Sequence, residues 1–201
     1  MSVINGWTLY AHPLFLDQLE RLTGAVERAA QRNPDGYATS ADAKLLAALR
    51  RLMLEVIPGD PTRPEFRQGG TLGPDRKHWF RAKFGGGRFR LFFRSSTRAK
   101  IIIYAWVNDR NTLRTYGAKS DAYAVFKSML DRGNPPEGWA ELVVERRSLP
   151  GLWPHLDPPR RRRLENGNLC SSLPHFQTGT TFNLAVRNRI RADPLRPAPK
   201  P

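Results

Sequence analysis

Cysteine and histidine are both scarce in this chain of 201 residues. Cys170 is the only cysteine, which excludes an intrachain disulfide framework and a zinc site built from several cysteines. The four histidines lie far apart in the sequence, without the spacing of metal ligands, at His12, His78, His155 and His175. We therefore expect no metal and no cofactor, and the low cysteine content favours a reducing cytoplasm.

Long hydrophobic runs and familiar catalytic motifs are missing as well. No stretch is long enough to cross a membrane, and the N-terminal region lacks the charged head and apolar run of a signal peptide. These absences predict a cytoplasmic protein without a membrane partner. The chain also has no Walker-type phosphate loop, no HExxH pair and no GxSxG elbow, which excludes the enzyme classes that those motifs define.

Acidic residues are few beside the basic ones. The chain has 18 Asp and Glu against 33 Lys and Arg, a formal net charge of +15 at pH 7 and a sequence pI near 11.0. Such an excess is typical of proteins that bind phosphate groups. Proline and arginine are frequent after residue 145 and apolar periodicity ends there, so we predict a folded domain over residues 1–145 and a disordered basic tail over 146–201.

Apolar periodicity predicts an α+β fold for the first domain. Two amphipathic helices are expected, one starting at Pro13 and one running from Ser40 until Pro58 stops it. Residues 1–12 are interpreted as an aromatic lead-in packed on the core. The strands that follow predict an antiparallel sheet against which the two N-terminal helices pack, with a short helix after the last strand, capped by Ser120 or Asp121.

The segment KHWFRAKFGGGRFRLFFR predicts a β-hairpin with cations on one face. Side chains of a strand alternate between the two faces of a sheet, and Gly85, Gly86 and Gly87 supply the turn. Cations side by side on a sheet repel each other, so this face predicts an anionic partner. Together with neighbouring basic and aromatic residues, it favours RNA, because cations bind phosphates and aromatic rings stack on unpaired bases.

A cationic cleft of this kind can cleave RNA without a metal ion. A base removes the ribose 2′-hydroxyl proton, arginines stabilise the phosphorane, and an acid protonates the leaving 5′-oxygen. Because arginine is a poor base, the candidates are a lysine with a lowered pKa, a tyrosine, or His78. Lys83, between Arg81 and Arg90, is the plausible base, and Tyr116 could supply the proton or stack the cleaved base. A surface that only binds RNA would carry the same residues.

Four segments in order resemble the YhaV toxins of bacterial type II toxin–antitoxin systems: NGWTLYAHP, KFGGGRFRLFFR, WVNDRNTLRTYGAKSDAYAVFKSML and RGNPPEGW. The resemblance spans residues from about 5 to 140. It implies the RelE-like microbial ribonuclease fold and an mRNA interferase, often ribosome-associated, that arrests translation and growth. It also implies sequestration by a PrlF-type antitoxin, whose complex with the toxin binds operator DNA.

On the RelE-like pattern, Arg81, Lys83 and Arg90 match the cationic positions that flank the glycine turn. Arg110 or Arg114 could fill the later basic position, and Tyr116 resembles the terminal tyrosine although it lies before the last helix. The predicted catalytic residues are Arg81, Lys83, Arg90 and Tyr116. The predicted RNA-binding residues are Arg88, Arg94, Arg110, Arg114, Lys119, Trp79 and Trp106. Two alternatives stay open: an RNA- or ribosome-binding translation inhibitor that does not cleave, and a ParE-like topoisomerase poison.

Overall fold

The computed structural model describes residues 2–149, in which a mixed β-sheet lies between two layers of helices. The strands follow the chain as β1 Ser2–Ile4, β2 Trp7–Ala11, β3 Phe80–Phe84, β4 Phe89–Ser96, β5 Ile101–Val107 and β6 Arg147–Ser148. Their order across the sheet is β1-β2-β5-β4-β3, and β6 pairs with β2. No helix within these residues is long and apolar enough to span a membrane.

The predicted antiparallel sheet is wrong in one respect, because β2 runs parallel to β5 with Thr8 opposite Ile101. The predicted lead-in of residues 1–12 contains strands β1 and β2 instead. Its sequence shows no clear alternation because β2 is buried on both faces: Leu9 enters one core and Tyr10 the other. The predicted hairpin of β3 and β4 and the central strand β5 are confirmed.

The two predicted N-terminal helices are confirmed. They are α1 Pro13–Arg32 and α2 Ala41–Arg51, and the Ser40 hydroxyl caps α2 by accepting from the Ala43 amide at 3.2 Å. The helical path of α2 continues through a π-helical turn over Leu52–Val56 and a short α-turn over Ile57–Gly59. Pro58 does not stop this path, because it lies in the first turn of the final segment, where proline is tolerated.

The α1 and α2 helices cover one face of the sheet. Phe15, Leu19 and Met53 are fully buried there in a cluster that also contains Phe93 of β4. Gln18 of α1 donates to the Val107 carbonyl at 2.6 Å and accepts from the Val107 amide at 3.0 Å, which fixes α1 to the end of β5. This layer supports the hairpin from the side opposite to Lys83.

A second pair of helices, α3 Ala122–Asp131 and α4 Trp139–Glu145, covers the other face. The predicted cap is confirmed, since the Asp121 carboxylate accepts from the Tyr123 amide at 3.0 Å. Phe126 of α3 is fully buried and stacks on Phe92 with ring centroids 4.1 Å apart. The hairpin face predicted to be a cationic platform is therefore partly an apolar core, with cations at its edge.

The fold continues a few residues past the predicted domain boundary at residue 145. Arg147 pairs with Ala11 and Ser148 with Tyr10, and Leu149 is only 4% exposed. These residues belong to the fold, because the edge of β2 offers them hydrogen bonds and the core covers Leu149. The rest of the predicted tail, 150–201, lies outside the described residues.

Substitution of Leu149 by alanine is expected to destabilise the full chain by about 2–4 kcal/mol, because it removes a buried aliphatic side chain. Urea unfolding followed by tryptophan fluorescence measures the change. Arg147→Ala is the matched control, since Arg147 is exposed on β6, the short strand that ends directly before Leu149. If Leu149→Ala proved as harmless as the control, this segment would not contribute to the core.

Candidate active site

The hairpin presents Lys83 directly opposite Arg90. The two residues are partners in the register of β3 and β4, and the tight turn beyond them takes positive φ at Gly85, Gly86 and Gly87. The Lys83 side chain is exposed. Repulsion between facing cations disfavours this pairing, so some other contact must hold the charges in place.

Arg81 is held at both ends of its guanidinium. Its Nε donates to the Tyr123 hydroxyl at 2.8 Å, and its Nη1 donates to the backbone carbonyl of Glu65. It lies two residues before Lys83 on the same face of β3. Since the group is only partly buried, its remaining nitrogen is available to an external anion.

Arg90 is held more deeply, with 6% of its surface exposed. Its Nη1 donates to the carbonyls of Gly87 at 2.6 Å and Phe89 at 2.8 Å, and its amide donates to the side-chain oxygen of Asn108. Arg90 therefore stabilises the glycine turn while its positive charge remains close to Lys83.

The loop after β5 brings a further cation and a tyrosine to the hairpin. The buried Asn108 donates from Nδ2 to the Arg88 carbonyl at 3.2 Å and to the Thr112 carbonyl at 2.9 Å, which fixes the start of the loop. Farther along, the Arg114 guanidinium lies 3.7 Å from the ring centroid of Tyr116. Tyr116 is 87% exposed, so one face of its ring is open to a ligand.

These groups form what we call the cationic cluster: Arg81, Lys83, Arg90, Arg114 and Tyr116. Within it the pKa of Lys83 is lowered from its ordinary value, chiefly by the charge of Arg81, then by partial burial, and further by Arg90 and Arg114. Tyr116 opposes this effect on the pKa. A lysine whose ammonium is disfavoured in this way is suited to accept a proton.

A family model for YhaV, described as a toxin with endonuclease activity of a toxin–antitoxin system, matches residues 9–147. The chain belongs to the YhaV toxin family. It is 49% identical over 143 residues to the Toxin YhaV of Escherichia coli O6:H1 (strain CFT073) and to the Ribonuclease toxin YhaV of Escherichia coli (strain K12). Each match covers 71% of this chain and 93% of the relative. The resemblance predicted from sequence is confirmed, whereas no solved structure matches the chain.

Among the predicted YhaV site residues, the two tryptophans do not reach the cationic cluster. Trp79 is fully buried and Trp106 is 6% exposed, and both rings pack against Phe126 of α3. Neither ring has a face open to a ligand, so the structure does not support the prediction that Trp79 and Trp106 bind RNA. Trp106 lies on β5 and Trp79 directly precedes β3, and the sequence did not show that helix α3 covers both rings.

Two predicted RNA-binding arginines lie elsewhere in the YhaV fold. The guanidinium of Arg94 lies 5.6 Å from the Trp79 ring and 5.2 Å from the Trp139 ring, and it donates to the Glu137 carbonyl at 2.5 Å. Arg110 donates to Asp42 of α2 at 2.6 Å, on the side of the α1 and α2 layer. Of the two alternatives for the later basic position, the structure brings Arg114 to the cluster and Arg110 to α2. Both Arg88 and Lys119 are exposed, and their roles stay predictions.

His78 belongs to a different environment from Lys83. Burial lowers its pKa first, and the charge of Arg94 lowers it further, while Glu137 opposes the change. These neighbours all differ from the residues that act on Lys83. The structure thus gives the two candidate bases separate surroundings and places only Lys83 in the cluster.

Sequence reasoning missed two contacts to arginines of the cationic cluster. Tyr123 contacts Arg81, and the Asp121 carboxylate contacts Arg114. Asp121 was recognised only as a helix cap, but its carboxylate also accepts from the Arg114 guanidinium. The available signal was the position of both residues at the start of an amphipathic helix directly after a basic loop.

Across the described residues, no three His, Cys, Asp or Glu side chains lie together as a potential metal site.

Proposed function

We propose that this chain is an endoribonuclease toxin that cleaves mRNA at the cationic cluster by a metal-independent reaction. The observation that carries the proposal is the exposed Lys83 amine with Arg81, Arg90 and Arg114 around it. The family description supplies endonuclease activity, and the printed name of the K12 relative supports RNA as the substrate. We further propose that the α+β fold is of the RelE-like type.

The proposed reaction begins with transfer of the ribose 2′-hydroxyl proton to the neutral Lys83 amine. The 2′-oxygen then bonds to phosphorus, and the bond between phosphorus and the 5′-oxygen breaks. Arg81 and Arg114 stabilise the charge on the phosphorane, and Arg90 adds to the local positive field. Tyr116 either protonates the leaving 5′-oxygen or stacks on a base, in which case water supplies that proton. The products carry a 2′,3′-cyclic phosphate and a 5′-hydroxyl.

The family description as a toxin of a toxin–antitoxin system implies an antitoxin partner, and the name of the K12 relative as a ribonuclease implies an RNA substrate. We propose that the antitoxin is of the PrlF type and that operator DNA is contacted only through the complex of toxin and antitoxin. We also propose that the toxin acts in the cytoplasm and that it associates with ribosomes. The sequence segments that resemble YhaV toxins support these assignments.

Replacement of Arg81 with alanine is expected to lower cleavage of a defined mRNA about tenfold to a hundredfold, because one charged donor to the phosphorane is lost. Cleavage sites are mapped by primer extension with and without translating ribosomes. Arg110→Ala is the matched control, since Arg110 pairs with Asp42 away from the cluster. A substrate with a 2′-deoxyribose at the cleaved position should resist the enzyme.

Intact mRNA in both conditions would overturn the proposed cleavage. If translation still stopped, the protein would be a translation inhibitor that binds RNA or the ribosome without cleaving RNA. A DNA-damage response with intact mRNA would instead identify a topoisomerase poison. Cuts that occur only with ribosomes would support the proposed association, and equal cutting of free mRNA would contradict it.

A further inference from the structure

The first turn of α3 contacts two arginines of the cationic cluster at once. The Tyr123 hydroxyl accepts from Arg81 Nε at 2.8 Å, and the ring of the same residue lies 4.9 Å from the Arg114 guanidinium. Tyr123 itself is only 6% exposed, and its ring meets Phe92 edge-on at 5.5 Å. A tyrosine fixed by the core in this way has little freedom to follow a moving arginine.

Asp121 secures the second arginine from the same turn. Its Oδ2 accepts from Arg114 Nη1 and, at 2.7 Å, from the Thr115 amide. Its Oδ1 accepts from the Tyr123 amide at 3.0 Å. With 4% of its surface exposed, Asp121 is withdrawn from solvent and paired. The loop that carries Arg114 is thereby tied to the start of α3.

We propose that Tyr123 and Asp121 are positioning residues, which set the orientation of Arg81 and Arg114 toward the scissile phosphate. This inference rests on the proposed ribonuclease function. Arg81 has its Nε fixed by Tyr123 and one terminal nitrogen fixed by the Glu65 carbonyl, so the other terminal nitrogen points in a defined direction. Donors oriented before the substrate arrives need no reorganisation when charge develops on phosphorus.

The arrangement also couples Tyr123 to the base. The charged and titratable groups that act on Lys83 are Arg81 on its own strand, Arg90 on β4, and Arg114 and Tyr116 on the loop. The charge of Arg81 has the largest effect on the pKa of Lys83. If Arg81 turns away, the pKa of Lys83 rises toward its ordinary value, and a higher pH is needed to form the neutral amine.

Tyr123→Phe tests this role because it removes the hydroxyl and keeps the ring. We expect kcat to fall about fivefold to tenfold with little change in KM, and the rise of the rate with pH to move to higher pH. In a double-mutant cycle with Arg81→Ala, the two effects should not add. Tyr104→Phe is the matched control: its hydroxyl donates to the Met53 carbonyl at 2.6 Å on the opposite side of the sheet. That control should leave the pH profile in place.

A second readout does not depend on cleavage. In ¹H–¹⁵N spectra the Arg81 Nε–H, assigned by its loss in Arg81→Lys, should be protected from exchange in the native chain and lose that protection in Tyr123→Phe. An unchanged pH profile and unchanged Arg81 protection, in a protein that still cleaves RNA, would overturn the positioning role while the proposed function stands. Failure of the native chain to cleave, with Arg81 protection lost as expected, would overturn the proposed function instead.

Discussion

Replacement of Lys83 with methionine is expected to reduce the rate of RNA cleavage about 10²- to 10⁴-fold, which is the usual effect of removing a general base. Methionine is similar in length, and Lys83 is exposed, so the fold should remain intact. Single-turnover cleavage of a labelled RNA measures the chemical step. Unlike Arg81, whose loss leaves two other arginines, Lys83 has no equivalent neighbour in the cationic cluster that could act as a base at neutral pH.

The proposed role of Lys83 as the base also predicts the direction in which the cleavage rate changes with pH. Lysine removes a proton only in its neutral form, so the native rate should rise with pH and become constant above the pKa of Lys83. Because Arg81 lowers that pKa first, and burial, Arg90 and Arg114 lower it further, the rise should occur below the pH expected of an ordinary lysine. The Lys83→Met variant should lose this rise.

Lys83→Arg provides the control that separates charge from basicity. Arginine retains the positive charge beside the phosphate but does not release its proton in the accessible pH range. The base hypothesis predicts that Lys83→Arg binds RNA normally and cleaves as poorly as Lys83→Met. Near-native cleavage by Lys83→Arg would show that Lys83 acts only through its charge.

Features of the fold that depend on nearby residues could be predicted from the sequence. The alternation on either side of Gly85–Gly87 predicts the hairpin, and Ser40 and Asp121 mark helix starts that the structure confirms. In each case the residues that decide the structure lie within a few positions of one another. The short helix α4 was missed because seven residues carry too little periodicity.

Pairing between distant segments could not be predicted in this way. β2 and β5 are separated by some ninety residues, and neither sequence indicates the parallel register of Thr8 with Ile101. The same difficulty applies to the site. Alternation placed Trp79 on the face of Arg81, but only the docking of α3 shows that Trp79 is covered while Arg81 reaches Tyr123.

Substitution of Phe126 by alanine is expected to give the largest loss of stability, about 3–5 kcal/mol, because it leaves a cavity between α3 and the sheet. Phe126 is fully buried and contacts Phe92, Trp79 and Trp106, with ring centroids 4.1, 5.2 and 5.7 Å from its own. Urea unfolding measures the change, and Val144→Ala, at a residue 77% exposed on α4, is the control.

Comparison of these unfolding data with cleavage data also tests whether one part of the hairpin face is apolar core under α3 while the cationic cluster at its edge cleaves RNA. If α3 holds the sheet face as a core, Phe126→Leu should regain part of the lost stability, and both variants should cleave RNA once folded protein concentration is taken into account. A loss for Phe126→Ala no greater than for Val144→Ala would mean that α3 does not cover this face. Trp79 and Trp106 would then be open to RNA, and the cationic cluster would be part of a broader binding surface.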